Sequence, residues 1–413
     1  MKLCTDLTVT AWRRAALSDY VPRGGSPTAS LVLDFVRNVY ASGGHIRALS
    51  EVVSFTRAST ATHFDANGEL QTVALDAPRF DHDPLTGEAR GLLIEEARTN
   101  AQINSQGDTG WTGRGTTPPT VTAAVTHLGQ SCTAILFSAA SNTGYAGARA
   151  DRQGTDSVPI TAGTVYSQSA FVALSRPLTG SEAVTVYYTG SSGVATYVIN
   201  AANSAGMAGR WERIGASAAP GVSGVAYAAV FLSQPLSSDL TVYISRLQFE
   251  TGQGVTSYIP TAGAAVTRAA DMATIPATGT VFAHALGTAL VDGAMIPGDG
   301  GGAVESWLRT NGTGVLVGTQ GNKIVSFDGS ASPVIATVYQ SGARMKAAVN
   351  WDAAAGARRW SVNGAAVGSG SYDGQWGAVQ DLGLGTPAPA AWLRRVLIWP
   401  SVLTDTEMQD ITA

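Results

Sequence analysis

Residues 183–200 read AVTVYYTGSSGVATYVIN, and this stretch decides the fold class. Two runs rich in Val, Tyr and Thr flank a Ser-Ser-Gly turn signal, which is the composition and spacing of an antiparallel hairpin. Side chains alternate between the two faces of a strand. Tyr187 and Tyr197 therefore fall on opposite strands, each out of phase with the valines, and both are expected on the hairpin's outward face.

The same pattern repeats on either side. CTAILFSA (132–139), VYSQSAFVAL (165–174), VAYAAVFL (225–232) and LTVYISRLQFE (240–250) are short apolar runs separated by clusters of Gly, Ser and Thr, as a jelly-roll-like sandwich requires. Residues 98–262 are expected to form this domain. The stretch SYIPTAGAAVTRAADMATIPATG (257–279) is rich in Pro and Ala and lacks sandwich-like alternation, and residues 263–280 are expected to be a linker. Beyond it GVLVG (314–318), KIVSF (323–327), RMKAAVNW (344–351), RRWSVNG (358–364) and LRRVLIWP (393–400) give a second sandwich over 281–413, ending in a polar helical turn, TDTEMQDIT. Before the first sandwich, residues 1–97 read as an N-terminal attachment and oligomerisation region. A short helical piece around Trp12 to Tyr20 and the extended VPRGGSPTAS form a docking arm, followed by two hairpins with Asn-Gly (67–68) and Asp-Pro/Thr-Gly (83–87) turns. The chain is expected to be all-β: two antiparallel sandwiches preceded by an arm with hairpins. No fixed-period repeat or heptad run is present, so a coiled-coil shaft is not encoded.

Bulk properties narrow the function. With 45% hydrophobic residues the chain is globular, while only 14% charged residues and 48 glycines favour strands joined by turns. Net charge is −4 and no Lys/Arg cluster exceeds a pair such as Arg13-Arg14 or Arg394-Arg395, so nucleic acid is not an expected partner. Cys4 and Cys132 form no metal or disulfide pattern. Charged residues interrupt any signal-like apolar stretch near the N-terminus, and no run reaches membrane-spanning length, so neither standard secretion nor membrane insertion is expected.

Catalytic patterns are sparse. The five histidines are scattered, and neither GxSxG nor HExxH occurs. Glu95 and Glu96 are neighbours in a strand and point to opposite faces, so they cannot flank one glycosidic bond, and they read as solvated acids at a strand end. Glu212 and Glu250 read as surface residues. No catalytic residue and no cofactor is assigned. Asp81, Asp83 and Glu88 supply oxygens around a tight turn, where a structural calcium would sit if one were bound, but the same residues make a plain hairpin turn.

Aromatics carry the stronger signal, because sugar rings stack their C–H faces on Trp and Tyr while polar neighbours fix the hydroxyls. Trp111, Tyr145, Arg149, Asp151, Arg152, Tyr187 and Tyr197 are the candidates in the middle domain. Tyr145 is the lone large aromatic of the polar stretch SNTGYAGARADRQGTD. Trp211 reads as a core anchor. In the last domain Trp307, Trp351, Trp360, Trp392 and Trp399 read as core, and Trp376, in YDGQWG, as the exposed candidate.

The stretch from Val52 to Asn100, with its FTRAST, DANG, PRFDHDP and LLIEEARTN blocks in order, resembles a segment of tail-fibre, head-spike and related structural proteins of tailed phages and gene transfer agents. Residues 243–261, YISRLQFETGQGVTSYIPT, resemble the end of the carbohydrate-binding-module-like sandwich that follows it in such proteins. RWSVNG (359–364) and VLIWPSVLTDTEMQDI (396–411) are similar to laminin-G or concanavalin-like lectin domains. The resemblance implies a non-enzymatic surface protein of a virion, released by host lysis, homo-oligomeric, joined to other virion proteins through its N-terminal region and binding host cell-surface or capsular polysaccharide. A particle component that only makes subunit contacts, or a glycan-degrading enzyme, are the competing readings.

Overall fold

The computed structural model describes residues 17–22, 28–139, 146–150, 157–190, 194–276, 281–298, 304–310, 314–328, 334–374, 376, 381–385 and 388–413. Regular structure among them is nearly all β. The chain forms two compact units: residues 1–96 together with 269–413, and residues 97–268. The second is inserted in the sequence of the first. No helix among the described residues is long and apolar enough to cross a membrane.

Unit 1 has, among the described residues, a ten-stranded and a seven-stranded sheet and one small hairpin. The first sheet runs in the order His45–Ile46, Val39–Ser42, Leu31–Asp34, Ala390–Trp399, Leu286–Ile296, Met345–Asp352, Ala357–Val362 and Gly368–Ser371. The hairpin of Arg79–His82 and Ala89–Ile94 joins it at Ala390–Trp399. The second runs Val334–Val338, Lys323–Phe327, Val315–Gln320, Val304–Thr310, Asp381–Leu384, Met272–Pro276 and Ser54–Thr56. Between them Leu31, Leu33, Val291 and Ile398 of the first sheet meet Trp307, Leu316 and Leu382 of the second in one core. The first sheet's other face is also buried: Val32, Leu290, Ala348 and Leu397 pack with Tyr20 and with Met408 of the helix Asp405–Thr412. A strand covered on both sides favours apolar residues at successive positions, which is why Leu31, Val32 and Leu33 run without a polar break. Each Leu or Val so buried contributes about 1.5–3 kcal/mol. The helix starts at Thr404, whose hydroxyl accepts the Glu407 amide while the Glu407 carboxylate accepts the Thr404 amide.

Two expected boundaries are corrected. Residues 31–96 are not a separate attachment region, because Leu31 and Leu33 pair with Ile398 and Val396, and Ser54–Thr56 pairs with Met272–Pro276. Nor is 263–280 a linker: Val266–Arg268 pairs with Arg98–Asn100 inside unit 2, and Met272–Pro276 lies between Ser54–Thr56 and Asp381–Leu384 in unit 1. Most of the expected helix at 12–20 and part of the docking arm lie outside the described residues. The described Tyr20 donates its hydroxyl to Asp34 at 2.9 Å, so this end of the arm is packed onto unit 1.

The chain leaves unit 1 after Glu96 and re-enters at Ala269, and a buried ionic cluster ties the two crossings together. Arg57 donates to Asp271 Oδ1 (2.9 Å) and to the carbonyls of Ser59 and Ala74; Arg79 donates to Glu95 Oε2 (2.7 Å), to the Thr62 carbonyl and to Asp271 Oδ2. The Glu95 amide donates to Asp271 Oδ2, and the Asp271 amide to the Glu95 carbonyl. The four side chains are 0–1% exposed. Glu95, expected to be solvated, is thus a buried ion-pair partner.

Unit 2 is a sandwich of a six-stranded and a five-stranded sheet. The first runs Trp111–Gly115, Ala146–Ala150, Gly224–Gln234, Ala183–Gly190 and Val194–Asn200, with Val158–Ile160 also on Gly224–Gln234. The second runs Thr120–His127, Gln130–Phe137, Leu240–Thr251, Tyr166–Leu174 and Glu212–Ala218. Ala148, Val184, Val186, Ile199 and Val230 face Ile135, Val172, Val242, Ile244 and Phe249 across the core. After Thr251 the chain folds back over the five-stranded sheet. Gln248 binds the Thr256 and Ser257 carbonyls and the Ile259 amide, Tyr258 bonds Ser105 at 2.7 Å, and Glu250, buried rather than at the surface, accepts from the Thr256 amide and hydroxyl. Burial pushes the Glu250 carboxyl up, opposed by those bonds.

Glu182 anchors the turn before Ala183–Gly190. It takes a two-pronged contact from Arg176 (2.8 and 2.9 Å) and accepts from the Thr179 amide and from the Ser237 amide and hydroxyl. The Arg176 guanidinium, against the cost of burial, holds the carboxyl well below the usual carboxylate range. A depressed folded-state value stabilises above the unfolded value and is lost as pH falls. Glu182→Gln is expected to cost about 1–3 kcal/mol at pH 7, and its gap from wild type should narrow as pH drops below about 4.3. Urea midpoints at pH 7, 5 and 3 check this, and a gap that stays constant would refute it.

Candidate functional site

The outer face of unit 2's six-stranded sheet gathers two half-buried tyrosines and a buried phenylalanine. Along Gly224–Gln234, Ala226, Ala228 and Val230 point into the core, so Tyr227, Ala229 and Phe231 point out. Tyr187 and Arg149 lie directly opposite Ala229 on the two neighbouring strands. Small Ala229 is therefore bounded by a tyrosine and an arginine across the sheet, and by a tyrosine and a phenylalanine along its own strand. The ring of Tyr187 lies 5.5 Å from that of Phe231 at 44°, and the Arg149 guanidinium lies 4.3 Å from the centre of the Tyr227 ring. That distance is well inside cation–π range and fixes the guanidinium over the ring. Beside them the hydroxyls of Thr185 and Ser233 bond each other. Phe231 is only 6% exposed, so it backs the platform, while half-buried Tyr187, Tyr227 and Arg149 form its accessible part. Chemically this pairs half-buried tyrosine rings with a cationic donor held over one of them, a combination able to pack against a sugar ring and bond its hydroxyls or an acidic group.

Of the sequence candidates, the structure brings Tyr187 and Arg149 together here. Tyr197 is corrected. It faces Val186 in the register and packs onto the core beside Ile199, while Val198 is the exposed residue. Val198 is on the outward face, so being out of phase with it places Tyr197 inside. Trp111 is buried in the core and donates Nε1 to the Gly107 carbonyl at 3.0 Å. Trp376, expected to be exposed, is fully buried in unit 1, edge-on to Trp351 and next to Tyr372. Tyr145, Asp151 and Arg152 lie outside the described residues. Tyr227 and Phe231 were missed. The signal was present in VAYAAVFL, where both large rings alternate with alanines and a valine.

The remaining clusters are occupied by their own contacts. Trp211, expected in the core, is half-buried on the outer side of the five-stranded sheet: its Nε1 donates to the His127 carbonyl, and its ring meets His127 edge-on. His127 stacks flat on Tyr243 at 3.6 Å, and burial lowers its pKa. Glu212 bonds Arg210. Asp81 is buried, accepting from the Phe64 amide and from Trp392 Nε1 (2.7 Å), and burial raises its pKa. Asp83 caps its turn through the Leu85 and Thr86 amides and pairs with Arg90, and Glu88 pairs with Arg394. The suggested calcium ligands are thus each drawn to a separate partner, and no group of three or more candidate ligands that could hold a metal occurs among the described residues.

No protein-family model matches the chain, and no curated protein does. Among solved structures it is similar to a mutant of Trypanosoma rangeli sialidase displaying trans-sialidase activity, at 13% identity and TM-score 0.26 over 34% of this chain and 25% of that one. It is also similar to the CBM22-1–GH10 modules of Clostridium thermocellum xylanase 10B complexed with xylohexaose (20%, TM-score 0.24, 40% and 30%). A third is the binding domain of botulinum neurotoxin DC in complex with rat synaptotagmin II (10%, TM-score 0.27, 39% and 41%). The chain spans between a quarter and about two fifths of each of these proteins. Likeness this slight carries no functional argument.

Proposed function

We propose that this chain is a non-enzymatic surface protein of a phage or phage-like particle, of the head-spike or tail-fibre kind, that holds host cell-surface polysaccharide on the outer face of unit 2's six-stranded sheet. The observation that carries the binding half is the platform of Tyr187, Tyr227 and Arg149 around Ala229. The particle half rests on the resemblance of residues 52–100. The attachment role expected for residues 1–97 narrows to the stretch before Leu31, since the strands that follow are consumed by unit 1's sheets. Homo-oligomerisation multiplies weak single-site contacts into firm adhesion.

The test is binding of the purified full chain to intact host cells and to their extracted polysaccharide, beside a Tyr187→Ala, Tyr227→Ala variant whose unfolding midpoint is native-like. Loss of two stacking rings is expected to weaken polysaccharide binding roughly ten- to a hundredfold. Equal binding by the variant would remove the site from this face. No binding by the assembled wild type would leave the sandwiches a role in subunit contacts alone.

A further inference from the structure

A second groove, in unit 1 and beyond the reading above, has a different chemistry. It encloses about 340 Å³ and is lined by Asp83, Glu88, Arg90, Arg344, Trp392 and Arg394 among others. Pockets for small molecules begin at roughly this size, enough for one or two sugar rings. Its wall is the indole of Trp392, held in place by the bond to Asp81 and carrying the Arg90 guanidinium at 5.4 Å from its ring centre. The charge balance is positive. Of the residues that line the groove three are arginines (Arg90, Arg344, Arg394) and two are acids (Asp83, Glu88): Arg90 pairs with Asp83 at 2.6 Å and Arg394 with Glu88 at 3.0 Å, while Arg344 pairs with Asp292 behind the lining. Among the described residues the guanidiniums also keep donors in reserve: of five N–H groups each, Arg90 donates hydrogen bonds through Nη2, Arg394 through Nη1, and Arg344 through Nε and Nη2.

We propose that this groove binds a carboxylate-bearing sugar residue, such as a uronic acid within an acidic polysaccharide. The carboxylate would take the planar fork geometry that guanidinium offers and ammonium does not, and the ring's C–H edge would lie along the indole. A metal would need the acids that the arginines already hold, and a neutral sugar would leave the excess positive charge unanswered.

The experiment is calorimetric titration of the full chain with a glucuronic-acid-containing oligosaccharide, its neutral glucose counterpart and inorganic phosphate. Arg90→Gln with Arg344→Gln is the disabling variant. Both side chains are about two fifths or more exposed (39% and 47%), so the fold should survive. Expected results are binding of the acidic oligosaccharide that weakens with added salt, a loss of at least roughly tenfold in the double variant, and tighter binding in Glu88→Gln, which removes an exposed competing carboxylate. The Tyr187→Ala, Tyr227→Ala variant should keep this binding, which separates the two sites. Equal affinity for the neutral sugar, phosphate binding as tight as the oligosaccharide, an unaffected Arg90/Arg344 variant, or loss on removing the two tyrosines would each overturn the proposal.

Discussion

Asp271→Ala is expected to destabilise unit 1 by about 3–5 kcal/mol, the cost of breaking a buried ion pair from one side. Asp271 holds two guanidiniums at once, Arg57 through Oδ1 and Arg79 through Oδ2, and all three side chains are removed from water. Without it both buried guanidiniums lose a carboxylate that they share, and the bond from Arg79 to Glu95 remains. Replacing the whole cluster (Arg57→Met, Arg79→Met, Glu95→Leu, Asp271→Leu) would restore stability if the charges served only one another. It is expected not to, because Arg79 also donates to the buried Thr62 carbonyl, and taking a donor from a buried carbonyl costs about 1–3 kcal/mol. Urea unfolding followed by tryptophan fluorescence reads unit 1 preferentially, since six tryptophans lie in 281–413 against Trp111 and Trp211 in unit 2. A loss under about 1 kcal/mol for Asp271→Ala would place the cluster with ordinary surface pairs.

This cluster also explains what the sequence did and did not reveal. The FTRAST, PRFDHDP and LLIEEARTN blocks contain Arg57, Arg79 and Glu95, so these blocks encode a scaffold joint, and its fourth member, Asp271, lies 176 residues beyond Glu95. Local pattern reports period and turn chemistry, which is why the all-β class, the hairpin at 183–200 and the turns at Asn67-Gly68 and Asp83–Gly87 were legible. It does not report which distant strand completes a sheet. Leu31–Asp34 finds its partner at Arg395–Ile398, and no property of residues 1–97 read alone tells a docking arm from the missing strands of a C-terminal sandwich. The binding face was half legible for a related reason. Polarity marks the inward face of a strand only when the outward one is polar, and in Val194–Asn200 the outward Val198 inverted the reading of Tyr197.

Two glycines test whether the aromatic platform is a surface feature or part of the fold, because each would bring an added Cβ to 2.0 Å from a neighbour and the neighbours differ. At Gly91 that atom is the Leu393 carbonyl oxygen, with the Arg394 Cα at 2.9 Å, and the backbone is left-handed at φ +95°. Neither strand can yield without breaking the pairing of Leu92 with Leu393. Gly91→Ala therefore combines backbone strain and overpacking of about 1–3 kcal/mol each, and unit 1 should unfold at a much lower urea concentration. At Gly147 the atoms met are Cδ1, Cε1 and Cγ of the Phe231 ring, and the backbone is one that alanine accepts. This ring stands on the outer face of the sheet beside Tyr187, outside the core cluster, so the clash is relieved by turning one side chain and not by breaking a strand pairing. The overpacking cost is offset in part by the roughly 0.5–1 kcal/mol that alanine gains over glycine in a strand. Gly147→Ala should therefore keep a near-native midpoint while displacing the ring that backs Tyr187, and polysaccharide binding should fall roughly tenfold or more. If Gly147→Ala unfolds as readily as Gly91→Ala, Phe231 is locked into the fold and the face is packing. If it folds normally and binds unchanged, the platform does not hold the sugar.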